Sequence, residues 1–491
     1  MCNLGNESNY AEAVVSTAHP VALEAAKKIL LKGGSAIDAA IAADAVLGVV
    51  EPMATSIGGD VLALIYEPKS SRVISYNGTG RSPSGLDPSL VKSLPGQRIP
   101  ERHPLSVTVP GAVRGWQDLH DRYGKLSWPE LFEDAIRCAR NGYRLGAVAA
   151  REWGIFDFVL HEDSECRRVF NAGRPPKANS IQSNPDLGGV LEKISREGAD
   201  GFYYGWIPKC AAEAVQSHGG VLVEEDFAQH KGFFTRPLKQ SFFGYEVYQC
   251  PPNTHGVSIL RALRDIEEAQ IKPNSPEAWL FMVQATERAL AYARETVSDP
   301  GGNTVCTVIK DGQGLVVNLM SSIFKRFGSG IVVPGGGFCL QNRGFGFDSP
   351  GHINGVAPNK RPYHTVVPGL TTQGEKFHMA IGVVGGLMQP QGQIQIITRV
   401  LGWGQGLQES LDAPRWRLEG ERALAIEEGW PSNIENYLRR NGYTKPTEGV
   451  GDLAGRSDFG GAHALLRVRG RGVIGAADWR KDGAWERFSL R

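Results

Sequence analysis

The spacing of apolar residues predicts helices near the start of the chain. Residues 20–50, PVALEAAKKILLKGGSAIDAAIAADAVLGVV, carry apolar side chains at helical spacing and predict two alanine-rich helices. The break between them falls at Gly33 and Gly34, and Ser35, which follows, has the side chain of a helix N-cap. Because most side chains in this segment are small, we expect the two helices to pack closely.

Hydrophobic runs separated by turns come next. The runs ATSIGGDVLALIYEP and RVISYNG predict a β-hairpin, which begins a layer of helices on sheet. Residues 110–300 then predict mainly helices, for example Trp128 to Asn141 and Pro276 to Ser298. One extended piece interrupts these helices at Tyr245–Gln249.

The pattern changes at Asn303 to short apolar runs divided by turns. TVCTVIKDGQGLVVNLMSSI predicts a hairpin with its turn at Asp311 and Gly312, and IVVPGGGFCL and HTVVPGL continue the strand-rich half. ALLRVRG and VIGAADW predict a final strand pair. Because helices and strands segregate along the chain without regular βαβ alternation, we expect a layered α+β fold rather than a doubly wound sheet.

Length and charge narrow the classes of protein that need to be considered. A chain of 491 residues can bury a large core in one large domain or in two to three ordinary ones. The 53 Lys and Arg residues nearly balance the 52 Asp and Glu residues, which favours neither a nucleic-acid partner nor a polybasic membrane surface. The N-terminal residues have no basic stretch followed by an apolar run, and no apolar segment approaches the roughly 20 residues that span a bilayer. We therefore expect a cytoplasmic protein with small neutral or zwitterionic partners.

The cysteines and the standard motifs point to neither a metal nor an organic cofactor. The seven cysteines are scattered, odd in number and without a CxxC pair, which favours reduced thiols over disulfides or a zinc site. HExxH, GxSxG and Walker sequences are absent. Two glycine-rich fragments, at Gly78 to Gly80 and at Gly328 to Gly330, lack the continuation of a phosphate loop. No cofactor and no metal is expected.

Thr304 is the candidate nucleophile. By itself it is a strand residue at the start of a hairpin, and that ordinary role stays open. Its setting adds a second interpretation, because the preceding Gly301, Gly302 and Asn303 can adopt the strained backbone that an N→O acyl shift requires. If the Asn303–Thr304 bond is cut, the new α-amine of Thr304 can act as the base for its own hydroxyl group.

Long motifs in colinear order resemble one known family. The stretch HPVALEAAKKILLKGGSAIDAAIAADAVLGVVEPMATSIGGD is similar to the amino-terminal signature of γ-glutamyltranspeptidases, NPLAAEAG…GGNAVDAAVA…VVEP…GIGGG. The resemblance covers nearly the whole chain, through NGTGRSP, SVTVPGAVRGW, GNTVCTVIKDGQGLVVNL, FGSGIVVPGGGFCLQNRG, NKRPYHTVVPG, GVVGGLMQPQG and SDFGGAHALLRVRGRGVIGAADWRKDGA.

The resemblance implies a fold and a maturation step. Members of this superfamily are N-terminal-nucleophile (Ntn) hydrolases, and the expectation is an αββα four-layer sandwich formed by two autoprocessed fragments. Residues 1–303 would form the large (alpha) fragment and residues 304–491 the small (beta) fragment, and together they would make one structural domain. The fragments would remain interlocked through shared strands, and the sequence leaves a further homo-oligomer open.

The resemblance also assigns catalytic roles. Thr304 would attack the acyl group and form a threonyl ester, and Ser322 stands where the family has a threonine that hydrogen-bonds the nucleophile. Gly385 and Gly386 match the glycine pair whose N–H groups receive the oxyanion. The ordinary roles stay open as the weaker alternatives, a strand serine for Ser322 and a tight turn for the glycine pair.

The substrate positions depart from the γ-glutamyl pattern. His364 and Thr365 occupy the place of a serine pair that binds the substrate α-carboxylate, although His364 could equally be a core histidine. His364 would be neutral or cationic near pH 7 and could meet an anion in either form.

Two charged clamps of the family are missing. The family arginine falls on Thr79, and the nearest arginine is Arg81. The acidic residue that holds the substrate amine falls on Gly346, with Arg343 in place of a nearby glutamine. An acid without an amine, or a simple amide, would suit Arg81, Arg343 and His364 better than a γ-glutamyl group.

Three functions therefore stand after the sequence analysis. We expect a self-cleaving amidohydrolase or acyltransferase that acts on a small amide or γ-glutamyl-type bond, similar to the transpeptidase-like subgroup that includes oxamate amidohydrolase and acylases. A γ-glutamyltranspeptidase or glutathione hydrolase proper is the first alternative. An uncleaved, inactive paralogue that serves as a binding or scaffold protein is the second.

Overall fold

The N-terminal helix pair forms where the sequence predicts it. Helix α1 spans Pro20–Leu31 and helix α2 spans Ala36–Val50. Ser35 caps α2, because its Oγ accepts the Asp38 N–H at 3.1 Å while the Asp38 carboxylate accepts the Ser35 N–H at 2.9 Å. Every residue of α2 is buried, as its small side chains allow close packing on all sides.

The computed structural model describes residues 11–297, 303–446 and 459–490, and only the backbone of Asn303 and Thr304. The helices of this part are α1 and α2, then α3 Ala112–Tyr123, α4 Glu133–Asn141, α5 Ala147–Phe156, α6 Ser164–Phe170, α7 Pro185–Glu197, α8 Asp200–Tyr203, α9 Trp206–Ser217, α10 Glu224–Ala228, α11 Gly256–Ala269, α12 Pro276–Thr296, α13 Met388–Ile397, α14 Leu407–Asp412 and α15 Ser432–Arg440. The strands are β1 Glu12–Thr17, β2 Asp60–Glu67, β3 Arg72–Asn77, β4 Tyr143–Arg144, β5 Ile181–Gln182, β6 Phe233–Thr235, β7 Leu238–Phe242, β8 Tyr245–Gln249, β9 Asn303–Lys310, β10 Val316–Phe324, β11 Gly369–Gln373, β12 Lys376–Val383, β13 Trp416–Gly420, β14 Ala423–Ile426, β15 Ala462–Val468, β16 Gly472–Ala477 and β17 Ala484–Ser489.

Two antiparallel sheets organise the strands. The first has seven strands in the order β17-β1-β9-β10-β2-β3-β6, and the second has six in the order β16-β15-β12-β11-β8-β7. The pairs β4–β5 and β13–β14 are separate two-stranded ribbons. The hairpins β2–β3, β9–β10 and β15–β16 confirm the hairpins that the sequence predicts.

Alternating strand residues bury both faces of the first sheet. Leu62, Leu64 and Met320 face a hydrophobic cluster that also contains Leu370 and Leu465 from the second sheet. The neighbouring residues on β2, such as Ala63, belong to a different cluster, with the side chains of α1 and α2.

The second sheet is also covered on its other face. Met379 and Ile381 of β12 join a cluster with Ile259 of α11, Met282 of α12 and Ile394 of α13. The two sheets therefore pack face to face, with helices against their outer surfaces.

Helices and strands are less segregated along the chain than the sequence suggests. Strands β1 and β6 to β8 precede residue 303, and helices α13 to α15 follow it. In IVVPGGGFCL, one bridge between Val332 and Cys339 is the only strand-type pairing among the described residues. Successive Gly335, Gly336 and Gly337 form a turn there, with positive φ at Gly335 and Gly337. No helix within the described ranges is long and apolar enough to cross a membrane.

Candidate active site

Thr304 is the second residue of β9, an interior strand of the first sheet. Strand β10 pairs with it so that Ser321 lies opposite Val305 and Phe324 lies opposite Asn303. Two residues of β10, Ser322 and Ile323, therefore oppose the single residue Thr304, which makes a β-bulge at this point. Bulges of this kind redirect side chains and are frequent beside active sites.

Several parts of the predicted cleavage site lie outside the described residues. These are Gly301, Gly302 and the side chains of Asn303 and Thr304. The distances and hydrogen bonds given below are therefore those of the residues that surround the cleavage site.

Ser322 is fully buried at the bulge, and its hydroxyl oxygen accepts two hydrogen bonds. The Phe324 N–H donates to Oγ at 2.9 Å, and Nη2 of Arg343 donates to it at 3.0 Å. A serine oxygen has two lone pairs, so a further partner of this group would receive its hydrogen. The arrangement orients the Ser322 hydroxyl group on the strand beside Thr304.

Arg343 links Ser322 to Thr365. It is fully buried at the start of a 3₁₀ turn, Arg343–Gly346, and its Nη1 donates to Thr365 Oγ1 at 3.2 Å. The guanidinium also lies 4.1 Å from the centre of the Phe324 ring, a cation–π distance. Burial lowers the pKa of Arg343 to about 9, with the charge of Asp60 opposing the shift, so the group remains a cation at pH 7.

His364 is a neutral donor in this cluster. Its Nδ1 accepts the Val366 N–H at 3.2 Å, so the proton is on Nε2, which lies 3.2 Å from Asp60 Oδ2 and donates to it. Burial and the charge of Arg343 lower the pKa of His364 to about 4. The sequence left His364 either neutral or cationic near pH 7. The lowered pKa favours the uncharged ring.

Asp60 is the residue that the sequence analysis missed. Its Oδ1 accepts the Gly80 N–H at 2.8 Å and Gln341 Nε2 at 2.9 Å. Burial alone would raise the pKa of this carboxyl, but the hydrogen bond from His364 and the charge of Arg343 hold it below its usual range. The available signal was the end of SIGGD, where the family signature GIGGG has glycine.

Gly385 and Gly386 follow β12 in a backbone conformation that suits glycine. Their φ angles are +110° and +61°, and a Cβ on Gly385 would lie 3.2 Å from Gly460 Cα. Their carbonyl groups accept hydrogen bonds from Met388 and Gln389, whereas neither of their N–H groups donates to a carbonyl in the described ranges. As far as the described residues go, these two N–H groups are left for an oxyanion.

Strand β12 brings this glycine pair to the nucleophile strand. A Cβ on Gly382 would lie only 2.2 Å from Cys306 Sγ, so β12 and β9 are in close contact there. Cys306 is two residues after Thr304, and Gly382 is three residues before Gly385.

Arg81 does not join the cluster of Ser322, Arg343, His364 and Thr365. It is exposed and its Nη1 donates to the Asn359 carbonyl group at 2.8 Å. The structure thus brings three of the four predicted substrate-binding residues together.

Gly346, at the place of the family's acidic clamp, is buried. Because glycine has no side chain, no carboxylate stands at this position. The Gly346 carbonyl group accepts a hydrogen bond from Asn354 Nδ2 at 2.6 Å. Asp60, which lies in the same region, is already engaged by three donors.

A family model described as "Gamma-glutamyltranspeptidase" matches residues 22–305 and 291–488. The chain belongs to the γ-glutamyltranspeptidase family. This confirms the resemblance drawn from the motifs and makes the chain an amide-cleaving hydrolase or acyltransferase of the γ-glutamyltranspeptidase type.

Named relatives of this γ-glutamyltranspeptidase family member match it over nearly its whole length. The "Glutathione hydrolase-like YwrD proenzyme" of Bacillus subtilis is 30% identical, covering 96% of this chain and 97% of that protein. The "Oxamate amidohydrolase proenzyme" of Klebsiella pneumoniae is 29% identical, covering 98% of each chain. The crystal structure of cephalosporin acylase from Bacillus halodurans superposes with a TM-score of 0.90 at 29% identity, covering 99% of this chain and 97% of that one.

No group of three or more His, Cys, Asp or Glu side chains in the described ranges is placed to hold a metal ion. The six described cysteines form no disulfide.

Proposed function

We propose that the protein is a proenzyme that cuts itself between Asn303 and Thr304 and then hydrolyses or transfers the acyl group of a small amide through a threonyl ester. The observation that carries the proposal is the position of Thr304, in an interior strand opposite the bulge at Ser322. The family supports the same reaction, since three of the relatives, YwrD, oxamate amidohydrolase and an acylase, are named as proenzymes.

Each group of the candidate site has a part in the proposed reaction. The Thr304 hydroxyl attacks the amide carbonyl carbon while its own α-amine takes the proton, and the Ser322 hydroxyl group orients the nucleophile. The Gly385 and Gly386 N–H groups stabilise the oxyanion, a contribution of about 3–4 kcal/mol to the barrier when such donors are preorganised. The amine leaves with a proton, and water or an acceptor amine then opens the ester.

The proposed maturation fits the architecture. Fragments 1–303 and 304–491 would together form one domain, the four-layer αββα sandwich of the Ntn hydrolases. Three hydrophobic clusters support four layers, since one lies between the sheets and the other two lie between a sheet and its helices.

The substrate we favour carries an acid group and lacks an α-amine. Arg343 supplies one positive charge, and the Thr365 hydroxyl group, which accepts a hydrogen bond from Arg343, retains its own hydrogen as a donor. A substrate ammonium would find no acid at Gly346 and would have to compete with three donors for Asp60. The name of the relative that acts on oxamate, an amide with an acid group and no amine, agrees with this preference.

Intact-mass spectrometry of the purified protein tests the proposal without a known substrate. Wild type should split into fragments 1–303 and 304–491, whereas Thr304→Ala should remain whole. Thr307→Ala is the matched control, since Thr307 is a buried threonine of the same strand whose hydroxyl group bonds the hydroxyl group of Thr17 at 2.8 Å. If wild type also stays whole under maturation conditions, the proposal is wrong and the protein is the uncleaved binding protein of the second alternative.

A pair of anilides separates the two substrate classes. Glutaryl-p-nitroanilide and γ-glutamyl-p-nitroanilide differ only by the α-ammonium group. We expect the processed enzyme to have the higher kcat/KM for the glutaryl compound, by at least tenfold, because an ammonium without a partner loses its hydration on binding. A preference for the γ-glutamyl compound would instead make the protein a γ-glutamyl hydrolase or transferase.

A further inference from the structure

Phe324, the last residue of β10, has a backbone conformation that bulky residues rarely adopt. Its φ angle is +79°, in the left-handed region, where a large side chain costs free energy that glycine does not. The residue pairs with Asn303 at the end of the bulge opposite Thr304. Strained conformations of this kind cluster at active sites. A phenylalanine at this position is therefore expected to have a specific use for its ring.

The Phe324 ring is buried outside the hydrophobic core. The residue is fully buried, yet it belongs to none of the four hydrophobic clusters that the described residues form. The ring of Phe345 lies 5.9 Å from it between centroids, with 45° between the ring planes. Packing in a hydrophobic core therefore does not account for the position of this side chain.

Phe327, three residues later, shows the ordinary role of such a ring. It is equally buried, and its φ angle is also positive, at +59°. Its ring lies 5.7 Å from that of Trp153 and 5.5 Å from that of Phe170, in the cluster that contains the side chains of α1 and α2. The two phenylalanines thus share burial and backbone region and differ in what their rings contact.

The Phe324 ring contacts a cation. The central carbon of the Arg343 guanidinium lies 4.1 Å from the ring centre, and both residues are fully buried. A cation–π interaction is stronger when it is removed from water. The hydrogen bonds that Arg343 donates within the described ranges end on the hydroxyl groups of Ser322 and Thr365, and Asp60 acts on it through its charge. The ring therefore covers a face of the guanidinium that these partners leave uncovered.

Phe324 and Arg343 meet a second time at Ser322. The Phe324 N–H donates to Ser322 Oγ at 2.9 Å, and Arg343 Nη2 donates to the same oxygen at 3.0 Å. The backbone and the ring of Phe324 thus hold the same pair of partners. Making both contacts at once gives the unusual backbone conformation a physical reason.

We propose that Phe324 is a positioning residue, whose ring holds the Arg343 guanidinium in the orientation that recognises the acid group of the substrate. Phe324 acts through Arg343 and need not contact the substrate itself. The inference rests on the proposed function and deepens it, because it makes the preference for an acid depend on an aromatic ring.

A pair of anilides tests this role. Glutaryl-p-nitroanilide and pentanoyl-p-nitroanilide differ only in a terminal carboxylate in place of a methyl group. The ratio of their kcat/KM values measures recognition of the acid, and losses that both substrates share cancel in it. In Phe324→Leu, which removes the ring but keeps an apolar side chain, we expect this ratio to fall about tenfold. Phe324→Tyr, which keeps a ring over the guanidinium, should retain the ratio.

Phe327→Leu is the matched control. It removes a ring of equal burial from the same segment, so it should lower stability and leave the ratio at the wild-type value. Intact mass first establishes that each variant is cut, and Phe324→Met replaces Phe324→Leu if the latter stays whole.

The inference is overturned if Phe324→Leu retains the wild-type ratio, if Phe324→Tyr loses it equally, or if Phe327→Leu lowers it as much. It is also overturned if Phe324→Leu and Phe324→Met both stay whole while Phe327→Leu is cut, because the ring would then serve maturation. These results leave the proposed function standing when wild type is cut, whereas a wild type that stays whole overturns both.

Discussion

The buried carboxylate of Asp60 connects the candidate site residues. It accepts a hydrogen bond from His364, and its charge acts on Arg343, which in turn donates to Ser322 at the bulge. A buried guanidinium is costly unless an opposite charge compensates it. The orientation of the Ser322 hydroxyl group therefore depends on a carboxylate that does not contact it in any described hydrogen bond.

Asp60→Asn should lower the free energy of unfolding by about 3–5 kcal/mol, because it leaves the buried charge of Arg343 without its opposing carboxylate. Urea unfolding in the Thr304→Ala background measures the difference on an uncut chain. The control is Asp412→Asn, at the exposed end of α14, which should change stability by no more than about 0.5 kcal/mol. Equal stabilities of the two variants would show that Asp60 does not compensate Arg343.

At the scale of elements, the contact between β12 and β9 positions the candidate catalytic groups. Gly382 lets β12 approach Cys306 of β9, and the same strand then leads to Gly385 and Gly386. The nucleophile strand and the proposed oxyanion donors are in this way held by two packed sheets rather than by a mobile loop. Preorganised donors of this kind are the ones that stabilise developing charge best.

Gly382→Ala tests this contact. A methyl group would lie 2.2 Å from Cys306 Sγ and 3.0 Å from Met320 Sδ, so the sheets must separate. We expect a loss of about 1–3 kcal/mol in the free energy of unfolding and slower cutting at Asn303–Thr304, followed by urea unfolding and intact mass.

Two further variants make that result specific. Adding Cys306→Ala to Gly382→Ala should recover part of both losses, because it removes the sulfur atom that the methyl group meets. Gly420→Ala, where a methyl group would meet no atom within 4 Å, should have little effect. Failure of Cys306→Ala to restore either property would place the strain elsewhere.

In the whole molecule, each sheet combines strands that precede residue 303 in the sequence with strands that begin at or after it. In the first sheet, β9 and β10 lie between β1 and β2, and in the second sheet β11 pairs with β8. Buried ion pairs add to this connection, since Glu152 contacts Arg326 at 2.7 Å and Lys481 at 2.9 Å. A cut at residue 303 would leave these contacts intact.

The processed fragments should therefore remain together under native conditions. Size-exclusion chromatography of processed protein should give one peak at the elution volume of uncut Thr304→Ala, and a denaturing gel of that peak should show both fragments. They should separate only at denaturant concentrations that unfold the core. Two peaks in native buffer would mean that the shared sheets do not hold the fragments together.

The elements whose hydrogen bonds are local could be predicted from the order of residues alone. The capping box of Ser35 spans three residues, and the β9–β10 turn is held by Asp311, whose Oδ1 accepts the N–H groups of Gln313 and Leu315 at 2.9 and 3.0 Å. Periodicity and capping residues report such structure directly, because the interacting groups are neighbours in the chain. The ordered motifs also identified the family.

Which of the candidate side chains meet became clear only from the way the two sheets pack. Arg343 and His364 were grouped with Arg81 from their positions in motifs, yet Arg81 is exposed and donates to the Asn359 carbonyl group. Asp60, distant in sequence from His364, was not selected at all. Such contacts depend on the register of strands β10 and β2 and on how two sheets bury their faces together, and no local pattern of residues encodes either.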